Sequence, residues 1–166
     1  IIYRGALYAG LMLTPRGPKV LEYNCRFGDP ETQVILPRLE SDLLPLLMAC
    51  ADKSTFPDMP YLNDVDCEWT PQSAVGVILS ASGYPSDYRK GDAILGLKSA
   101  TETGAIVFHA GTKIQNNEVV TSGGRVLGVT ALGDGFADAR ERCYRGVEQI
   151  QFEGAYFRRD IGWRCL

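Results

Sequence analysis

The sequence predicts an α+β fold with strands in both halves of the chain, and three observations carry that expectation. An apolar stretch near the start is broken by Pro-Arg-Gly-Pro and then resumes. Short runs of valine, isoleucine and threonine follow residue 72, parted by glycine and asparagine. Between and after them lie stretches with helix-capping residues and helical spacing of apolar positions.

Residues 6–14 (ALYAGLMLT) and 19–24 (KVLEYN), joined through Pro15-Arg16-Gly17-Pro18, read as a β-hairpin. After Gly28, Asp29 can serve as an N-cap and Pro30 fits the first helical position, so a helix is expected there, running to Pro37. Residues 41–51 read as a second helix, with Ser41 or Asp42 capping and Pro45 still in its first turn. Residues 52–72 hold three prolines and several acids without a sustained period, which suits a connection. Residues 73–82 (SAVGVILSAS) read as a buried strand, with 105–110, 118–121 and 125–131 as further strands. Residues 135–150 keep helical spacing through Phe136, Ala139, Cys143, Val147 and Ile150, and 154–161 is expected to close the chain as a strand.

Composition narrows the function classes. With 166 residues, 45% hydrophobic and 22% charged, the chain can bury one substantial core or two small ones. The net charge is -3 and the 17 Lys and Arg are scattered, which argues against nucleic acid as a partner. No stretch approaches a membrane span, and the N-terminal residues lack the basic region of a signal peptide. The five cysteines are dispersed and odd in number, with no CxxC, as in a reduced, cytoplasmic protein.

The chemistry concentrates in VLEYNCRFGDPET, residues 20–32. Side chains alternate along a strand, so Val20, Glu22 and Asn24 share one face, and Arg26 joins them if the strand persists. A carboxylate beside an amide oxygen suits a hard cation such as Mg²⁺, and an arginine one step on can hold a phosphate or carboxylate. A helix starting after Gly28 would add an anion-favouring terminus. A half-exposed strand with Glu22 and Asn24 facing water gives the same pattern. His109, the one histidine, falls in VFHAGT, and SGGRVL sets Gly123 and Gly124 before Arg125. That second motif fits either an anion contact through glycine N–H groups and arginine, or a tight turn with a solvated arginine.

These strings, with SASGYPSDYRKG and FEGAYFRRDIGWR, resemble the phosphoribosylamine–glycine ligase family of the ATP-grasp superfamily, collinearly over essentially the whole chain. The resemblance implies the C-terminal part of an ATP-grasp domain (1–52), a connection (53–72) and a small mixed α/β C-terminal domain (73–166). It implies an ATP-dependent joining of glycine to 5-phosphoribosylamine, in de novo purine biosynthesis. ATP would be co-substrate, Mg²⁺ or Mn²⁺ the metal, and an upstream part of the same polypeptide the partner. Glu22 and Asn24 map to the metal ligands, and Arg26 to the arginine beside the transferred phosphoryl group. Asp29, His109, Gly123, Gly124 and Arg125 are the expected substrate contacts, with His109 a hydrogen-bonding group rather than a base. Many ATP-grasp ligases carry a further acidic ligand on the preceding strand, whereas Tyr8-Ala9-Gly10-Leu11-Met12 has no carboxylate. Another ATP-grasp carboxylate–amine ligase, or a docking module derived from one, is the alternative.

Overall fold

A computed structural model describes residues 3–51, 57–58 and 61–166. The chain forms two compact units: residues 1–32 with 39–70, and residues 33–38 with 71–166. Part of the expected connection, 52–56 and 59–60, lies outside the described residues.

The first unit is built on a hairpin of β1 (Tyr8–Thr14) and β2 (Gly17–Asn24), antiparallel from Tyr8↔Asn24 to Thr14↔Gly17. The turn closes as its residues dictate. Thr14 Oγ1 accepts from the Arg16 N–H at 3.2 Å and donates to the Gly17 carbonyl at 2.7 Å. Gly17 takes φ +92, a region open to glycine at little cost. One face of this hairpin is apolar and exposed, with Leu11, Leu13, Val20 and Tyr23 open to solvent. Beyond it, α2 (Leu43–Cys50) opens on Asp42, whose carboxylate accepts from the Leu44 N–H at 2.9 Å. Pro45 sits in its first turn, where a missing N–H costs nothing.

The second unit has an antiparallel sheet in the order β3 (Ser73–Ser80), β7 (Arg125–Gly133), β4 (Ile106–His109). Its central strand β7 is buried along nearly its whole length, because both faces are covered. On one face α4 (Phe136–Val147) buries Ala139, Cys143, Gly146 and Val147 against Val75, Val77, Leu79, Leu127 and Val129. The Cys143 thiol donates to the Val129 carbonyl at 3.1 Å, and burial pushes its pKa up to about 12. On the other face lies the segment carrying α1 (Thr32–Ile35) and a 3-10 turn over Leu36–Arg38. A Cβ on Gly76 would stand 2.6 Å from Val34 Cγ1, so this strand needs glycine for that segment to pack. Among the described residues no helix is long and apolar enough to cross a membrane.

Several elements depart from expectation. The helix after Gly28 begins at Thr32, not at Pro30: residues 29–31 form a turn, closed by the Thr32 N–H donating to the Gly28 carbonyl at 3.1 Å. Asp29 is therefore not its N-cap. Phe136 stays exposed, since the face of α4 that meets the sheet starts at Ala139. Residues 154–161 make one isolated bridge, Ser80↔Tyr156, rather than a strand. Tyr144 takes the place of a ladder there: its hydroxyl donates to the Arg158 carbonyl at 2.7 Å and accepts from the Ile161 N–H at 3.1 Å. Two elements went unread in the sequence, α3 (Leu97–Glu102) and β5 (Thr112–Gln115), the latter paired with β6 (Glu118–Thr121). Asn116 and Asn117, both at positive φ, form the two-residue hairpin turn between those strands.

Candidate active site

The register of the hairpin decides where the motif of residues 20–32 points. Glu22 lies opposite Gly10 and Asn24 opposite Tyr8. Between Gly10↔Glu22 and Leu11↔Val20 the register slips, leaving Leu21 as an extra residue on β2. The bulge breaks the alternation linking Val20 to Glu22, so Val20 does not share that face as strict alternation would require. Glu22 and Asn24 lie on the same side of the bulge and keep their common face. Gly10 makes room for them: a Cβ there would lie 3.2 Å from Glu22 Cγ and 3.6 Å from the Tyr8 ring edge.

Arg26 reaches the same place by another route. The strand ends at Asn24, and the chain bends at Cys25 and Arg26. The arginine folds back instead, donating to the Phe27 carbonyl at 2.8 Å and to Asn24 Oδ1 at 3.4 Å. Glu22, Asn24 and Arg26 are thus grouped at one strand end, two oxygen donors and a guanidinium. The anion-favouring helix terminus expected beside them is not there, since α1 is only four residues long and opens after the turn.

The turn at 28–32 brings in a further residue, Glu31. The Gly28 carbonyl accepts from both the N–H (3.1 Å) and the hydroxyl of Thr32. Within that loop the Glu31 carboxylate lies on the buried Gly28, where a Cβ would collide with Oε2. Tyr8 donates to Glu31 Oε1 at 3.2 Å, and the carboxylate, then burial, raises the phenol pKa above its ordinary value. The signal available in sequence was Tyr8 itself, a hydroxyl directly across the hairpin from Asn24.

Mg²⁺ or Mn²⁺ fits the donors present. The Glu22 carboxylate and Asn24 amide are hard oxygen ligands on one face. Among the described residues no three His, Cys, Asp or Glu converge to hold an ion. An ion here would thus fill its shell with other oxygens, such as phosphate and water.

In the second unit, His109 ends β4 with Nδ1 3.0 Å from Thr112 Oγ1. The following Gly111 is stitched to the SGGR loop. Its N–H donates to the Arg125 carbonyl at 2.8 Å, and its carbonyl accepts from Ser122 (2.7 Å) and Gly123 (3.1 Å). The Gly123 N–H is thereby committed within the protein, and its missing Cβ serves contact with Gly111 rather than room for an anion. At Gly124 the Tyr84 ring takes the space a side chain would fill. Arg125, exposed at the start of β7, pairs in register with Ser80. The loops holding His109 and Arg125 are thus zipped into one rigid rim. Arg158 and Asp160 form a bidentate pair at 2.9 and 2.7 Å on the surface, and the guanidinium lowers the Asp160 pKa.

The profile of the phosphoribosylglycinamide synthetase C domain matches residues 74–164, more than half of the chain, and that of the ATP-grasp (A) domain matches residues 1–32. The chain belongs to the phosphoribosylglycinamide synthetase family. Curated phosphoribosylamine–glycine ligases of Synechocystis, Caldanaerobacter subterraneus and Vibrio cholerae are 53%, 51% and 50% identical to it, over 100%, 97% and 99% of this chain. The chain spans 38%, 36% and 37% of the length of those synthetases. The crystal structure of phosphoribosylamine–glycine ligase from Thermotoga maritima superposes with a TM-score of 0.73 at 34% identity, covering 93% of this chain and 36% of that one. The matches to both synthetase domains agree with the α+β fold described above.

Proposed function

We propose that the chain is the C-terminal part of a phosphoribosylamine–glycine ligase, which joins glycine to 5-phosphoribosylamine with ATP to give glycinamide ribonucleotide, ADP and phosphate. The observation that carries this reading is the grouping of Glu22, Asn24 and Arg26 at the end of β2, in a chain of this family. Glu22 and Asn24 would hold Mg²⁺ or Mn²⁺, which when bound supplies charge stabilisation for ATP phosphates. Arg26, kept beside Asn24 by its own hydrogen bonds, faces the same ligands and stabilises negative charge on the transferred phosphoryl group or the glycyl phosphate. Arg125 binds a substrate anion, phosphate or carboxylate, next to Gly124 on which the Tyr84 ring packs. Gly123 contributes by fixing the loop, and His109, already engaged with Thr112, orients substrate as a hydrogen-bonding group. Asp29, exposed in the turn between Arg26 and Glu31, would be a further substrate contact. The exposed apolar face of the β1–β2 hairpin suits coverage by an upstream part of the same polypeptide, which the relatives' greater length supports. Free cysteines suit a cytoplasmic setting.

The test joins this chain to the upstream part of the Synechocystis relative and follows ADP release as each substrate is omitted. Release that needs glycine and phosphoribosylamine together is expected. Release with another acid or amine in place of either would overturn the substrate assignment.

A further inference from the structure

Arg125 opens β7 where its ladder with β3 slips. Leu79 pairs with Leu127, but Ser80 pairs with Arg125, so Val126 is an extra residue on β7 and is fully buried. A regular ladder would have set Val126 opposite Ser80; the bulge sets the arginine there instead. The other edge of Ser80 belongs to Tyr156. The Ser80 N–H donates to the Tyr156 carbonyl at 2.8 Å, and the Tyr156 N–H donates back to the Ser80 carbonyl at 3.0 Å. Gly154 allows that approach, since a Cβ there would stand 2.5 Å from Ser82 Cβ. Directly paired residues turn their side chains to one face, so Arg125, Ser80 and Tyr156 stand in a row across β7, β3 and the 154–161 segment. Their neighbours fix which face. Leu79 belongs to the core, and Ala155 and Phe157 pack against it, so Ser80 and Tyr156 point the other way. Ser80 is 9% exposed and Tyr156 63%, while Arg125 is open to solvent. A short hydroxyl thus floors a trough between two long side chains, whose Cα atoms such pairings set about 10 Å apart. The Ser80 hydroxyl donates to the Tyr156 carbonyl at 3.3 Å, which leaves its oxygen able to accept.

The two walls differ in chemistry. A guanidinium takes an oxyanion, and a phenol both donates and accepts at a hydroxyl. Glycine, two carbons long, does not extend from one wall to the other, whereas a pentose phosphate carries its anion at one end and hydroxyls at the other. We propose that this trough binds the sugar phosphate substrate, with Arg125 on the phosphate and the Tyr156 and Ser80 hydroxyls on the sugar hydroxyls. The proposal rests on the reading of Arg125 as a substrate-anion contact, and it assigns that anion to the sugar phosphate rather than to glycine. Tyr156 and Ser80 are then specificity residues, which tell a pentose phosphate from a bare phosphate.

The experiment titrates the full 166-residue chain with ribose 5-phosphate, inorganic phosphate and glycine, each followed by backbone amide shifts in nuclear magnetic resonance. Ribose 5-phosphate should bind more tightly than inorganic phosphate, and glycine should not displace it. Tyr156→Phe keeps the ring and removes the hydroxyl; it should weaken ribose 5-phosphate about three- to tenfold, as loss of one hydrogen bond does, and leave inorganic phosphate unchanged. Arg125→Gln should weaken both anions about tenfold or more, since its bonds carry charge. Unchanged ribose 5-phosphate affinity in Tyr156→Phe, with Arg125→Gln weakened, would overturn the trough and leave the arginine as an anion contact. Displacement of ribose 5-phosphate by glycine would overturn the choice of the sugar phosphate. Wild-type affinity for every ligand in Arg125→Gln, or no ribose 5-phosphate bound by the wild type, would sink the anion reading and this one with it. If circular dichroism shows Tyr156→Phe misfolded, Ser80→Ala decides by the same comparison.

Discussion

The stitch between Gly111 and the SGGR loop gives the sharpest test of how the second unit holds Arg125. Gly111 has no positive φ, so alanine there meets no backbone penalty of its own. Its Cβ, however, would stand 2.5 Å from both Gly123 Cα and the Arg125 carbonyl, and 2.8 Å from Gly123 N. All three are backbone atoms, and no rotamer change relieves them. Overpacking of this kind costs about 1–3 kcal/mol. Three hydrogen bonds run through Gly111, to Arg125, Ser122 and Gly123. Losing even one adds about 1 kcal/mol. We therefore expect Gly111→Ala to cost about 3 kcal/mol, which lowers the melting temperature of a unit this size by roughly 10–20 °C. Gly91→Ala is the control: its φ is +91 but its Cβ would meet nothing, so about 1 kcal/mol is expected. Urea unfolding followed by circular dichroism measures both. A Gly111→Ala change within about 0.5 kcal/mol of wild type, the range of ordinary surface substitutions, would refute the packing account.

Tyr144→Phe removes both hydrogen bonds to 158–161, so the Ile161 amide should exchange with deuterium faster by about tenfold, at a cost of about 1–2 kcal/mol. Asn117→Gly keeps positive φ at lower cost and should raise stability by about 0.5 kcal/mol in a thermal melt. Asp138, whose pKa the Arg142 guanidinium lowers, contributes stability present above the ordinary carboxylate value of 3.8 and lost as pH falls through its lowered value. The urea midpoint of Asp138→Asn should accordingly trail wild type at pH 7 and meet it near pH 2. Cys143, raised to about 12 by burial, should resist iodoacetamide in the folded protein at pH 8, while exposed Cys25, Cys67 and Cys165 are alkylated.

What could be read in the sequence was what local chemistry decides. Pro15, Arg16 and Gly17 set the first hairpin, Asp42 capped α2, and alternating valines marked β3 and β7. What could not be read depended on partners far along the chain. Gly123 looks like an anion cradle until Gly111 is seen against it, and Gly76 has meaning only once Val34 packs on it. Residues 154–161 have strand-like composition, yet Tyr144 on α4 takes the backbone groups that a neighbouring strand would have bonded. β5 was within reach, because Asn116-Asn117 between TKIQ and EVVT is a hairpin turn signal. On β2, the common face of Glu22 and Asn24 was plain from alternation, whereas the hydrogen bond from Tyr8 to Glu31 depends on the turn over residues 29–31, which sequence spacing does not disclose.

The most direct measurement of the central claim is Mg²⁺-dependent ADP release by this chain joined to the upstream part of a relative, with Glu22→Ala assayed beside wild type. The account predicts that the variant, folded by circular dichroism, loses about a hundredfold or more in turnover, as removal of a transition-state charge stabiliser does. Equal turnover and equal Mg²⁺ dependence in the two proteins would contradict it.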